Sequence, residues 1–171
     1  MAVFHPHAPV HVPPTDILNA HGRCLHVAAG IAAGSIILTA EGSIPVEFLC
    51  PGDRIITRNT GMVRVAAIES RPFRGDFVKI QQGTLGDLRP DSDTILAADQ
   101  QLLLRGKIAI RMTGQPTALF RVGNLPAGPG IVALDNATVT LVQLIFHSPQ
   151  IVYADGQELL CLQAGQASLA A

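Results

Sequence analysis

Tryptophan is absent from the 171 residues, tyrosine occurs once, and aromatic side chains make up 4% of the chain. A platform that stacks single-stranded bases needs several exposed rings, so this composition excludes one. Charge of either sign is scarce at 15%, and twelve Lys and Arg stand against thirteen Asp and Glu, for a net charge of −1. That balance leaves no basic footprint for nucleic acid and no polybasic patch for an anionic membrane. Long apolar runs are also missing. Val27–Ala40, the longest such stretch in the first half, carries two glycines and is too short to cross a bilayer. It has the apolarity of a signal-peptide core, but it starts late, behind Pro and His where such a peptide carries Lys and Arg. The chain is read as soluble, with the cytoplasm the favoured compartment.

Cysteine is sparse as well. Cys24, Cys50 and Cys161 form an odd set with no C-x-x-C pair. A disulfide framework and a thiolate zinc site are therefore not expected, and free thiols in a reducing compartment are. No cofactor motif is identified. Apolar residues at 48% are ample for one core, so the composition is that of a globular domain and not of a disordered chain.

Residues 1–26 differ from the rest, holding four of the twelve prolines and five of the six histidines. His5, His7 and His11 alternate with Pro and Val, a pattern that favours extended or polyproline backbone over helix. This segment, drawn to residue 29, is expected to be an arm with incidental histidines; weak binding of a transition metal is the other reading. From Gly30 onward, short apolar stretches alternate with turn residues. Ser35–Thr39, Ser43–Phe48, Arg54–Thr57, Val63–Glu69, Phe77–Gln81, Ile95–Leu104, Lys107–Met112, Ala137–Phe146 and Gln150–Ala154 read as strands. Residues 82–93 and 126–130 read as loops rich in Gly, Pro and Asp. A helical period is hard to find; at most Ala118–Leu125 makes one turn, which Pro126 would stop. No repeat of about 20–50 residues is visible. The expectation is an all-β domain over 30–165, followed by a short tail at 166–171.

Within 30–58 stand Gly34-Ser35, Glu41-Gly42, Pro45-Val46-Glu47-x-Leu49 and Pro51-Gly52-Asp53-x-Ile55. In this order they resemble the opening of a hedgehog/intein (Hint) domain of the bacterial branch. Gly52 lets the backbone reverse, and Asp53 can accept hydrogen bonds from its own turn. Val63–Arg71, Gly83-Thr84-Leu85-Gly86, Leu102-Leu103-Leu104-x-Gly106, Ile145-Phe146 and Val152–Gly156 resemble later parts of the family in the right order. The resemblance covers about residues 30–165. It implies an all-β, Hint-like fold of short strands in two pseudo-symmetric halves.

The resemblance also implies chemistry. Such domains cleave their own backbone: the first residue supplies a thiol or hydroxyl that attacks the preceding carbonyl, and a His polarises the amide and protonates the departing nitrogen. In this register the nucleophile slot is Gly30, which has no side chain. The His slot is Gln100, within Leu96-Ala97-Ala98-Asp99-Gln100, and a carboxamide cannot shuttle a proton near neutral pH. A third polar slot, before the last strands, reads Phe146-His147-Ser148-Pro149-Gln150 and introduces His147. Scaffold positions match while Gly30, Gln100 and His147 depart from the family pattern.

This points to a degenerate domain used as a binding or structural module, with a protein as the class of partner left open. The alternatives are an active self-cleaving domain with unusual residues, and a small β domain with no Hint relation. Gly30 and Gln100 should approach one another if the register is right, and Gly30→Cys with Gln100→His is the pair of changes that would rebuild a thioester at residue 29. No other residue is expected to replace them. Cys24 would attack the carbonyl of Arg23 outside the fold. Ser35 is expected in a strand ladder, Cys50 in an exposed turn, Cys161 as a small buried hydrophobe, and Asp99 as a turn-capping acid.

Overall fold

The computed structural model describes residues 30–161. The arm with His5, His7, His11 and Cys24, and the tail at 166–171, lie outside the described residues.

The chain forms β1 (Ile31–Ala32), β2 (Ile36–Thr39), β3 (Gly42–Pro45), β4 (Arg54–Thr57), β5 (Gly61–Arg64) and β6 (Ala67–Ile80). It continues through β7 (Thr94–Ala97), β8 (Gln101–Arg105), helix α1 (Gly106–Thr113), β9 (Thr117–Arg121), β10 (Ile131–Ile145), β11 (Gln150–Ala154) and β12 (Gln157–Cys161). Strands β1, β10, β6 and β7 close into a small barrel, and the others form a sheet in the order β3-β2-β4-β11-β12-β8-β9, with β5 on β4. The fold is all-β, as expected.

Two long strands, β6 and β10, pair over thirteen positions from Ile131↔Ile80 to Ile145↔Ala67. Pro72 is tolerated because it lies where β6 has β10 on one side, while β7 reaches only Phe77–Ile80 on the other. The predicted gap between Glu69 and Phe77 is therefore strand. Ile95–Leu104 is not one strand but two. The chain leaves the barrel after Ala97, turns through Ala98-Asp99-Gln100, and enters the sheet at Gln101.

The two halves are related residue by residue. Ile31-Ala32-Ala33-Gly34-Ser35 and Leu96-Ala97-Ala98-Asp99-Gln100 occupy equivalent places, and Ile31 pairs with Leu96 between them. Ile31 also pairs with Val142 of β10, and Leu96 with Val78 of β6. The Ser35 amide donates to Ala32 O (3.1 Å) and the Gln100 amide to Ala97 O (2.9 Å). Ala33 N–H reaches Thr140 O and Ala98 N–H reaches Asp76 O, both at 2.9 Å. Val46 then donates to Ser35 O and Val122 to Gln100 O, again both at 2.9 Å. Each half closes with one 3-10 turn, Val46–Phe48 or Val122–Asn124, whose Val-x-x-Leu is buried at both ends. This similarity spans too long a separation for a short-period repeat to be visible in the sequence.

One sequence expectation is corrected and one is narrowed. Lys107–Met112 is helix, within α1, and not strand. Ile108-Ala109-Ile110 is a short apolar run between Lys107 and Arg111, which a six-residue window cannot tell from a strand. Packing decides it: Ala109 is buried with Ile108 and Met112 against the core, Ile110 faces solvent, and Gly114 at φ 76° ends the helix by donating to Ile110 O. The single turn expected within Ala118–Leu125 is present but confined to Val122–Asn124, and the first half of that segment, Ala118–Arg121, belongs to strand β9. Leu125 is extended ahead of Pro126, as the residue before a proline prefers.

Strand β12 was not anticipated. Ala154-Asp155-Gly156 turns the chain with Asp155 at φ 48° and Gly156 at φ 74°, the left-handed pair that a two-residue hairpin needs. β11 and β12 then pair over five positions in the middle of the sheet, where every residue of β12 is buried.

Candidate functional site

Gly30 immediately precedes β1 and is buried at φ 153°. A Cβ there would lie 2.9 Å from Leu141 Cβ and 3.5 Å from Val142 O. The Ile31↔Leu96 pair carries Gly30 toward Ala97, whose carbonyl accepts the Gln100 amide. Gly30 and Gln100 thus belong to adjoining segments at one end of the β1–β7 pair.

The Gln100 side chain is turned to a different task. It is 5% exposed, and its Nε2 donates to Leu160 O at 2.9 Å and to Gln101 O at 3.1 Å. Both amide hydrogens are engaged by main-chain carbonyls, so the side chain ties the start of β8 to the end of β12. Asp99 beside it pairs with Arg121 at the surface.

His147 is not brought into this corner as a buried group. It follows β10 in an exposed bend and makes no hydrogen bond or ion pair among the described residues. The same bend is held by Asn59, whose Nδ2 donates to Pro149 O (3.1 Å) and whose Oδ1 accepts from Ile151 N–H (2.9 Å).

The motif positions have structural work. Glu47 accepts the Gly34 amide at 2.8 Å. That bond, with one from its own amide, holds its carboxyl below the usual range. Asp53 accepts the Cys50 amide at 2.8 Å in the turn that Gly52 reverses at φ 96°. The Ser35 amide closes a turn onto Ala32; its carbonyl, not its amide, enters the ladder with Val46. Cys50 is exposed and Cys161 buried, where desolvation pushes the Cys161 thiol up to about 12. No group of three or more His, Cys, Asp or Glu able to hold a metal occurs among the described residues. Nor is any of their helices long and apolar enough to cross a membrane.

Two polar centres carry no signal that sequence reasoning used. Asp155 is buried, and its carboxylate accepts Ile36 N–H (2.8 Å) and Thr94 Oγ1–H (2.9 Å), joining the hairpin turn to both halves. Its Asp-Gly dipeptide is a hairpin signal that could have revealed it. Glu158 is buried and takes Arg105 at 2.6 Å and Arg58 at 3.5 Å. A lone acid in the otherwise apolar end of β12 was its only trace.

This architecture is that of an intein-type β fold. Over 78% of its length the chain superposes on 98% of the bacterial intein-like domain from Clostridium thermocellum, with a TM-score of 0.55 at 17% identity. The MchDnaB-1 intein gives 0.51 at 13% identity, over 77% of this chain and 98% of that one. The AceL NrdHF class 3 split intein gives 0.51 at 8%, over 77% and 96%. At such identities the likeness speaks for the fold. Comparison with curated proteins finds no match. The family profile described as Hint domain matches residues 29–165, and the chain belongs to the Hint domain family.

Proposed function

We propose that this Hint domain does not cleave its own backbone and serves as a binding or structural module. The observation that carries the reading is Gly30. It offers no nucleophile, and its conformation and the nearby Leu141 Cβ suit a residue without a side chain. An N–S or N–O acyl shift at residue 30 needs a thiol or hydroxyl on that residue, because its own side chain closes the five-membered ring on the preceding carbonyl, forming the thioester or ester as the C–N bond breaks and frees the amine. Gln100 supports the reading further, since its amide hydrogens are committed to Leu160 and Gln101 carbonyls and it has no proton to shuttle near neutral pH.

The test is the intact mass of the freshly purified chain, with and without hydroxylamine and dithiothreitol. A single 18.0 kDa species under every condition is expected. A fragment ending near residues 23–34 would overturn the proposal, favour the self-cleaving alternative, and name the nucleophile by its terminus.

A further inference from the structure

Where β2, β4 and β5 lie side by side, the face of the sheet turned away from the core is open. Ile37, Thr39, Ile55 and Thr57 are buried, so Ile36, Leu38, Arg54 and Ile56 lie on the other face. The Thr39↔Ile55 pair sets Leu38 beside Ile56, and Ile56 pairs in turn with Met62 of β5. Leu38, Ile56 and Met62 thus form an apolar row across three strands, with Ile36 next to Leu38 on the same face. Ile36 and Leu38 are each 38% exposed, and Met62 is 55% exposed. Single exposed apolar side chains are ordinary, but a contiguous row of them with charge at its rim marks an interaction surface.

Charge restricts the partner. Arg54 and Arg64 stand directly opposite one another, one same-face position along from the Ile56↔Met62 pair. Like charges so placed repel. Glu41 takes Arg54 at 2.6 Å, and Asp53 is held by the Cys50 amide. Arg64 donates to Gly52 O at 2.8 Å and has no ion-pair partner among the described residues. What this rim lacks is a second carboxylate. Another copy of the chain would not bring one on the same face, because its Glu41 is equally held. Nucleic acid would meet the arginines but has nothing for the apolar row. Length restricts the form of the partner. Leu38 to Met62 covers two strand spacings, about 10 Å. Two turns of α-helix cover about 11 Å, and a helix laid on a sheet is a common way to bury such a face.

We propose that the face formed by Ile36, Leu38, Ile56 and Met62, with Arg64 at its rim, docks an acidic amphipathic helix of a partner protein. The proposal rests on the reading of this domain as a binding module and supplies its surface. Intact mass decides self-cleavage and titration decides this surface, so either can fail without the other.

The experiment is amide-resolved NMR on the full chain, titrated with the peptide acetyl-EELLEALLEELA-amide. Two control peptides replace every Glu by Lys or every Leu by Ala. The acidic peptide is expected to shift the Leu38, Ile56 and Met62 amides. It should bind at least about ten-fold tighter than either control, and more weakly as salt is added. Met62→Lys and Arg64→Glu, both at exposed positions, should each weaken it at least about ten-fold. Ile110→Lys, at an exposed apolar position on α1, should leave binding unchanged.

Four results would overturn the proposal. One is the absence of shifts with the acidic peptide. Another is equal binding of the Lys or the Ala peptide, which would remove the charge or the apolar row from the recognition. A third is undiminished binding by Met62→Lys or Arg64→Glu, which would move the site elsewhere. The fourth is a different occupant: phosphatidylserine vesicles bound in place of the peptide would give the face to a membrane, and self-association abolished by Met62→Lys would give it to a second copy.

Discussion

Replacing Gly30 by Ala adds one methyl group at the most informative position of the chain. Gly30 has φ 153°, and the new Cβ would meet Leu141 Cβ at 2.9 Å and Val142 O at 3.5 Å. Holding a residue with a side chain in a sparsely populated backbone region costs about 1–3 kcal/mol. Forcing an extra carbon into a packed site costs about 1–3 kcal/mol more. Together these are about 2–6 kcal/mol, which in a chain of this length lowers the melting temperature by roughly 4–24 °C. The nearest atom is itself a Cβ, so Leu141→Ala should not relieve the collision. Thermal unfolding followed by circular dichroism reads the effect directly. A Gly30→Ala chain within about 0.5 kcal/mol of its parent would refute the reasoning, since that is the scatter of neutral surface changes. The same geometry bears on Gly30→Cys with Gln100→His. A thiol at position 30 arrives with a backbone shift, and residue 100 points to Leu160 O, so the pair is expected to yield no hydroxylamine-sensitive product.

Three further outcomes are expected. Asp155→Ala should lower stability by about 2–4 kcal/mol in urea unfolding, because the Ile36 amide and Thr94 hydroxyl lose a charged acceptor; Asp155→Asn, which keeps one acceptor and tolerates positive φ, should lose less. Glu47 has a lowered pKa when folded, so its contribution is present above its unfolded value near 4.5 and lost as pH falls through the folded value. Asp93, lowered by the Gln82 amide and by Lys79, acts with the same sign. Glu47→Gln should therefore narrow the stability difference between pH 6 and pH 3, and an unchanged difference would remove Glu47 from the account. Iodoacetamide on the native protein should alkylate exposed Cys50 and spare Cys161, whose thiol stays protonated with a pKa of about 12; peptide mapping that finds both equally modified would contradict the burial of β12.

Much of the fold was legible because it is written in near neighbours. Gly52 and Asp53 make their turn from four consecutive residues, and the Ser35–Thr39 strand shows its alternation of buried Ile37 and Thr39 with more exposed Ile36 and Leu38 within one segment. The motifs carrying the Hint resemblance are of the same kind, with one exception that explains their pairing: Glu47 and Gly34 occur together because one caps the other. Helix α1 escaped because eight residues are too few to separate a period of two from one of 3.6, and its stop signal, Gly114, is a single residue.

What the sequence determined by itself was the all-β class, most of the turns and the absence of a side chain at position 30, since each depends on residue identity or on partners a few places away. Tertiary structure alone decided the thirteen-position pairing of β6 with β10, the correspondence of Ala32–Ser35 with Ala97–Gln100, the burial of Asp155 and Glu158, and the turning of Gln100 toward Leu160. These join residues far apart in the chain. Their energy comes from desolvation and hydrogen bonds that exist only once the strands have met, so no window of local sequence contains it.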